Sequence, residues 1–213
     1  MRRLIDVAIA LLILPILIPL FALVSLAVVL ESAGNPFYGG WRIGKNGKPF
    51  RMWKFRTMVS EADRIGGAIT TRNDPRITHV GSFLRKTKLD ELPQFFNLLL
   101  GDLTLIGPRP EAPGIVKEYT LEQRRILDVK PGITGPTQLR YTVLEAETIT
   151  ENENPERFYV ERLLNDKLCL DLDYIHRRTV FSDCRVVLQT ILLMARALKQ
   201  SSGFANSKNE QPS

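Results

Sequence analysis

The chain has 213 residues, 44% apolar and 24% charged, with 29 Lys+Arg against 23 Asp+Glu for a net charge of +6. That length and balance fit one domain with an appendage rather than two domains, and exclude a disordered acidic coil or a polytopic membrane protein. The basic excess suits phosphates, lipid headgroups or nucleic acid without choosing among them.

Arg2 and Arg3 precede residues 7–30, a run with no charge whose only polar side chain is Ser25. The run exceeds the apolar core of a signal peptide, about 7–15 residues. A straight helix of that length measures about 36 Å, enough for a bilayer core of about 30 Å. Pro15 and Pro19 predict a kink, because each removes a backbone donor and clashes with the preceding turn. Cations follow the run as well as precede it: Arg42, Lys45, Lys48, Arg51, Lys54 and Arg56. Positive flanks mark the cytoplasmic side. Two topologies therefore stand: an ordinary spanning anchor, or a re-entrant helix that bends near Pro19 and leaves by the face it entered. Asp6, at the boundary, is placed to pair with Arg2 or Arg3.

Residues 41–58 read as a strand pair turning at Asn46-Gly47, with β-prone Phe50, Trp53 and Phe55. Its cations fit a solvated edge or a phosphate-binding face equally well. Residues 77–88 and 89–100 read as helices, with Gly101 as C-cap. Between them, Pro93 favours the first turn of the second helix and so places Asp90 and Glu91 at its start. Helix-start N–H groups and the dipole favour negative charge there, so this pair reads either as capping acids or as part of a phosphate-handling site. Gly107-Pro108-Arg109-Pro110 fixes the backbone on both sides of one arginine, as an anion clamp or a rigid loop would need. Thr120 and Gln123 match a capping box, predicting a helix to about Val129. Pro131-Gly132-Ile133-Thr134-Gly135-Pro136 is a further turn-rich run, a connector or a close approach to ligand.

Residues 145–156 are acidic and Asn-rich and predict a solvated loop, with a helix from Pro155. The last helix, residues 182–199, sets Arg185, Gln189, Arg196 and Lys199 on one face and apolar residues on much of the rest, which suits core packing or a membrane interface. Residues 200–213 predict a disordered tail. Cys169 and Cys184 lack a CxxC partner or paired histidines, which excludes a structural zinc site and predicts free thiols. No Walker loop, GxGxxG, Gly-x-Ser-x-Gly elbow or HExxH occurs.

The order of these pieces resembles the bacterial sugar transferase family, the monotopic phosphoglycosyl transferases. The resemblance rests on Arg3-Leu4-Ile5-Asp6 before a proline-containing apolar helix, Lys54-Phe55-Arg56-Thr57-Met58, Asp74-Pro75-Arg76-Ile77-Thr78, Leu84-Arg85-Lys86-Thr87, Leu89-Asp90-Glu91-Leu92-Pro93-Gln94, Asn97, Gly101-Asp102, Gly107-Pro108-Arg109-Pro110 and Pro131-Gly132-Ile133-Thr134-Gly135. It implies a mixed α/β, mainly helical fold. A re-entrant membrane helix (residues 1–33, broken at Pro19) would precede a small cytoplasmic catalytic domain with interfacial amphipathic helices (34–200) and the tail (201–213).

It further implies transfer of a sugar-1-phosphate from a UDP-sugar to a polyprenol phosphate with release of UMP, at the cytoplasmic face of the bacterial inner membrane. Asp90 would be the nucleophile that forms a covalent phosphosugar intermediate, assisted by Glu91. Lys54, Arg56, Arg76, Arg85 and Arg109 would bind substrate phosphates, and Asp90 would also meet Mg²⁺. The implied partners are UDP-sugar, polyprenol phosphate and the bilayer, with a homodimer left open and no nucleic acid. Three departures are Ile18 before Pro19 where the family commonly has Ser, Gly40 in place of a Gln, and Pro136-Thr137-Gln138-Leu139-Arg140-Tyr141 in place of the usual Trp-Ala-Gln run. The last leaves the sugar unnamed. An inactive membrane-anchored scaffold and an anchored nucleic-acid-binding domain are the alternatives.

Overall fold

In the computed structural model of the chain, the described residues are 2–62, 74–141 and 155–207. The expected acidic loop, residues 145–156, lies almost wholly outside them.

The apolar run forms α1 (Arg2–Glu31), one helix that contains both Pro15 and Pro19. One stripe of it, Ala10, Leu14, Phe21, Val24 and Val28, packs on Phe55, Leu84 and Leu98 to make the main core cluster. Phe21 meets Phe55 edge-on, with ring centroids 5.4 Å apart. The opposite face of the helix is bare: Leu4, Leu12, Ile16 and Leu30 are each at least 70% exposed. Both ends are tied to the protein body. At the start, the Arg3 guanidinium donates to the Leu98 and Leu99 carbonyls. The buried Asp6 carboxylate accepts from Thr104 Oγ1 at 2.8 Å and the Leu105 N–H at 3.1 Å, so its bonds go to these groups rather than to a neighbouring arginine. At the far end, Glu31 accepts from the N–H groups of His79 and Val80 at 2.7 and 2.8 Å.

The predicted hairpin is present as antiparallel β1 (Phe37–Ile43) and β2 (Pro49–Phe55). Asn46 and Gly47 take the positive φ values, 58° and 72°, that its connection needs. Next, α2 (His79–Thr87) is capped by Thr78, whose Oγ1 accepts from the Gly81 N–H. Gly81 has no room for a side chain, since a Cβ there would lie 2.1 Å from the Thr57 carbonyl oxygen.

The helix expected over residues 89–100 is divided. Lys88 sits in the left-handed region at φ 61°, Leu89–Glu91 form a 3₁₀ turn, and α3 (Gln94–Leu100) starts only after Pro93. Proline cannot donate the hydrogen bond that would continue a helix through it. Gly101 ends α3 at φ 93°, as expected of an αL C-cap.

Two short strands not foreseen in the sequence, β3 (Thr104–Ile106) and β4 (Gly132–Thr134), pair in parallel. They bring the two turn-rich runs side by side: the Gly107 N–H donates to Thr134 and the Gly132 N–H to Pro108. A Cβ at Gly132 would lie 2.1 Å from the Gly107 nitrogen, so the pairing requires glycine. Between them lie α4 (Pro113–Lys117) and a 3₁₀ turn, Gln123–Asp128, where an α-helix was expected. The capping box before it is reciprocal: Thr120 N–H to Gln123 Oε1 at 2.9 Å, and Gln123 N–H to Thr120 Oγ1 at 3.2 Å.

Residues 136–141 are helical. The predicted helix from Pro155 is present as α5 (Pro155–Phe158), which passes through a π-helical turn (Tyr159–Leu163) into α6 (Leu164–Arg177). The final helix, α7 (Val180–Ser207), runs beyond Lys199 into the stretch expected to be disordered, because each added residue contributes a hydrogen bond to an existing helix. Val186 faces the core, and Thr190 hydrogen-bonds to Thr134 at 2.7 Å. Leu188, Ile191 and Leu192 stay exposed. Cys169 and Cys184 are free thiols on the surface.

Candidate active site

The αL residue Lys88 turns the chain sharply between α2 and the 3₁₀ turn and so tucks Asp90 inward. For a residue with a Cβ that conformation costs about 1–2 kcal/mol. Asp90 is buried, and its Oδ1 has no hydrogen-bond partner among the described residues. Its Oδ2 lies 3.8 Å from the Lys54 ammonium, which is 2.8 Å from Glu91 Oε1. Neither acid caps α3: the residue at its N-cap is Pro93, with no side-chain hydrogen bond.

Lys54 stands on β2 opposite this turn. Its neighbour Trp53 is held through its N–H by Asn97 Oδ1 at 3.0 Å, while Asn97 Nδ2 donates to the Arg51 carbonyl at 2.7 Å and to Asp102 at 3.1 Å. The fully buried Asn97 thereby ties β2 to α3 and sets the distance between Lys54 and the two acids.

Cations from four segments surround the pair. Arg85, held by its Nε–H on Thr57 Oγ1 at 2.7 Å, acts on Asp90. Lys88, Lys54 and Arg109 act on Glu91, and Arg42 on β1 adds its charge from beside Arg109. Burial raises the pKa of Asp90; Lys54 opposes that rise and the charge of Glu91 adds to it. Burial also works against ionisation of Glu91, but Lys54, Arg109 and Lys88 outweigh it and hold Glu91 well below the ordinary carboxylate range. The pair therefore holds one secure negative charge, on Glu91, and one carboxylate, Asp90, that a further cation would help to ionise.

Arg109 is positioned from behind. Its backbone N–H donates to Asp171 on α6 at 3.3 Å. Burial pushes the pKa of Asp171 up to about 6, against hydrogen bonds from Thr137 and from Arg109. Next to it, the buried Lys167 donates to Tyr159 Oη at 2.5 Å and lies 3.6 Å from Glu111, to which Tyr159 also donates. A small, shallow cleft runs past Arg109, lined by Gly44, Pro108 and Tyr119.

Two of the predicted phosphate ligands are engaged elsewhere. The Arg56 guanidinium donates to the Ser32 and Ala33 carbonyls and to Ser60, tying down the end of α1. Arg76 is buried, donates two hydrogen bonds to the Asp74 carboxylate at 2.6 and 2.9 Å, and donates a further one to the Ala62 carbonyl. Arg42, Lys88 and Asp171 belong to the surroundings of the site although sequence reasoning did not single them out. Arg42 reads only as one of the cations that follow the apolar run, nothing in the spacing marks Lys88, and Asp171 lies 62 positions from the loop it holds.

No cluster of three or more metal-ligand side chains occurs among the described residues. Magnesium often takes only one or two carboxylates and completes its shell with substrate phosphates and water. A buried, unpartnered carboxylate oxygen on Asp90 fits that mode.

The profile of the family described as bacterial sugar transferase matches residues 1–197. The chain is 38% identical over 199 residues to the UDP-glucose:undecaprenyl-phosphate glucose-1-phosphate transferase of Escherichia coli K12, covering 90% of this chain and 39% of that protein. It is 35% identical over 193 residues to the protein of the same description from Caulobacter vibrioides, covering 89% of this chain and 68% of the relative. The exopolysaccharide production protein ExoY of Sinorhizobium fredii is 41% identical over 153 residues, covering 65% and 68%. The chain thus spans about two-fifths of the E. coli protein's length.

Proposed function

The chain belongs to the bacterial sugar transferase family, and on that premise we propose that it moves a sugar-1-phosphate from a UDP-sugar to a polyprenol phosphate. The observation that carries this reading is the buried Asp90, with one oxygen unpartnered, set among cations drawn from β1, β2, the α2 turn and the Pro-Arg-Pro loop. A carboxylate nucleophile splits one phosphoryl transfer into two steps. An Asp90 oxygen forms a bond to the sugar-bearing phosphorus as the bond to UMP breaks, and the electron pair leaves on UMP. A polyprenol phosphate oxygen then attacks the same phosphorus and releases the aspartate.

Two anions must approach a third, so the surrounding cations matter as much as the nucleophile. Lys54 holds Glu91 ionised and in place, Arg85 and Lys54 favour the charged form of Asp90, and Arg109 receives the diphosphate. Mg²⁺, when bound through Asp90, would neutralise phosphate charge.

The same reading sets the chain on the cytoplasmic face of the inner membrane. The exposed leucines of α1 and the bare apolar row of α7 suit lipid. The re-entrant topology is supported by the anchoring of both ends of α1 to one body, Asp6 to the β3 segment and Glu31 to α2. A straight spanning helix would leave its ends on opposite faces. With Cys169 and Cys184 replaced and a cysteine introduced at position 2, an impermeant thiol reagent on intact cells tests this. Labelling only after Pro19→Leu supports the bend, and strong labelling without that change means a spanning anchor.

The reaction itself is tested by screening UDP-sugars with undecaprenyl phosphate for UMP release. Turnover with one of them is expected, with Asp90→Asn abolishing both turnover and covalent adduct. Near-normal release by Asp90→Asn refutes the nucleophile. No turnover on the full panel favours an inactive scaffold.

A further inference from the structure

Tyr38 belongs neither to the core nor to the acid and cation cluster. It is 47% exposed on β1, paired across the hairpin with Lys54, whose ammonium reaches both acids. Residues two apart on a strand share a face, so Tyr38, Gly40 and Arg42 lie on the side of the hairpin that carries Lys54. The Tyr38 ring folds along the strand over Gly40. A Cβ built at Gly40 would lie 3.3 Å from Tyr38 Cε1, 3.9 Å from its Oη and 3.5 Å from Arg42 Nη1. Phenol and guanidinium thus converge on the one position of the strip that has no side chain, the position where a Gln is usual in the family. At the far end, the Ile43 N–H donates to the Glu111 carbonyl at 3.0 Å, which fixes Arg42 beside the Pro-Arg-Pro loop. The strip therefore runs from the acid pair, at Lys54, to the loop that carries Arg109.

We propose that Tyr38, Gly40 and Arg42 form the floor on which the uracil of the UDP-sugar stacks. The inference rests on the transferase reading and adds the nucleobase subsite to it. An aromatic ring with an open face gains by stacking a planar base, and here the ring stands next to the groups that handle the phosphates. The Tyr38 hydroxyl makes no hydrogen bond among the described residues, and the Arg42 guanidinium donates there only to the Trp41 carbonyl, at 2.8 Å. Uracil presents two carbonyl acceptors, which suit that hydroxyl and the remaining Arg42 N–H groups. Glycine at position 40 keeps the floor clear. A Gln there would stand between the ring and the guanidinium and occupy the place of the base.

The test uses the full-length protein in nanodiscs, with UMP, UDP and inorganic pyrophosphate as calorimetric probes. Tyr38→Ala should weaken UMP and UDP binding about five- to a hundredfold, the range for one base on one aromatic side chain. Pyrophosphate, which has no base, should bind as before. Tyr38→Phe should keep most of the affinity, and in turnover the loss in Tyr38→Ala should fall on KM for the UDP-sugar. Gly40→Gln should reproduce that loss with the ring still in the chain, and it carries the test alone should Tyr38→Ala melt early. Unchanged UMP affinity in either variant would overturn the proposal. An equal loss of pyrophosphate binding would overturn it too, by making the strip part of the phosphate site. So would a loss confined to the UDP-sugar with UDP unaffected, which would place the sugar ring there. Failure of the unsubstituted protein to bind UDP or release UMP overturns the transferase reading itself, a different result.

Discussion

Replacing Lys54 with Met removes the cation shared by the two acids and leaves the aliphatic stem. Its ammonium is 2.8 Å from Glu91 and 3.8 Å from Asp90, with about a fifth of the side chain exposed. Opposite charges 4 Å apart interact by about 4 kcal/mol at an effective dielectric of about 20. Partial exposure screens this, leaving an effect of about one to three pH units on a carboxylate. The sign follows from which form reacts. Asp90 attacks as the carboxylate, Lys54 favours that form, and its removal raises a pKa that burial has already raised. The acid limb of the rate profile should therefore move to higher pH by about one to three units. UMP release measured from pH 5 to 9 with saturating substrates reads the limb directly, and Lys54→Arg should keep it near its original place. A limb that stays put while the rate falls equally at every pH would show that Lys54 serves only substrate phosphate, and the argument from the acid pair would fail.

Three further outcomes are expected. Asn97→Leu strands the Trp53 N–H and the Arg51 carbonyl; at about 1–3 kcal/mol for each buried group it should cost about 2–6 kcal/mol in urea unfolding followed by tryptophan fluorescence, and a cost below 1 kcal/mol would refute this role. Arg109→Lys keeps the charge but loses the planar fork, so KM for the UDP-sugar should rise about tenfold; normal kinetics in both Arg109→Lys and Arg109→Ala would dismiss the clamp. The folded pKa of Asp171, about 6, is above its ordinary 3.8, so its stabilising contribution is full below that lower value and fades as pH rises through 6. Relative to Asp171→Asn, the unsubstituted protein should lose up to about 3 kcal/mol between pH 4 and 7.5, and parallel stability curves would contradict the assignment.

Local chemistry was enough to read several elements directly. A charge-free run, an Asn-Gly turn, a Thr-x-x-Gln capping box and a Gly C-cap each act over a few residues, and α1, the β1–β2 hairpin, the box at Thr120 and the end of α3 appear where such signals stand. The Asp90-Glu91 pair was legible as chemistry for a similar reason: two acids beside a proline are unusual in themselves. Tertiary structure decided which cations meet them. Lys54, Arg85 and Arg109 act on the pair, whereas Arg56 and Arg76, of the same charge, brace α1 and the Asp74 turn. Charge alone cannot separate these roles, because each depends on which carbonyl or carboxylate the fold presents to the guanidinium. The β3–β4 pairing was equally hidden, since three-residue strands carry no periodicity and the contact of Gly107 with Gly132 exists only once distant segments meet. Asp6 followed the same rule. Arg2 and Arg3 lie one helical turn before it, yet in the fold its carboxylate binds Thr104 and Leu105, because Arg3 is taken by the Leu98 and Leu99 carbonyls and Arg2 lies against Asp183.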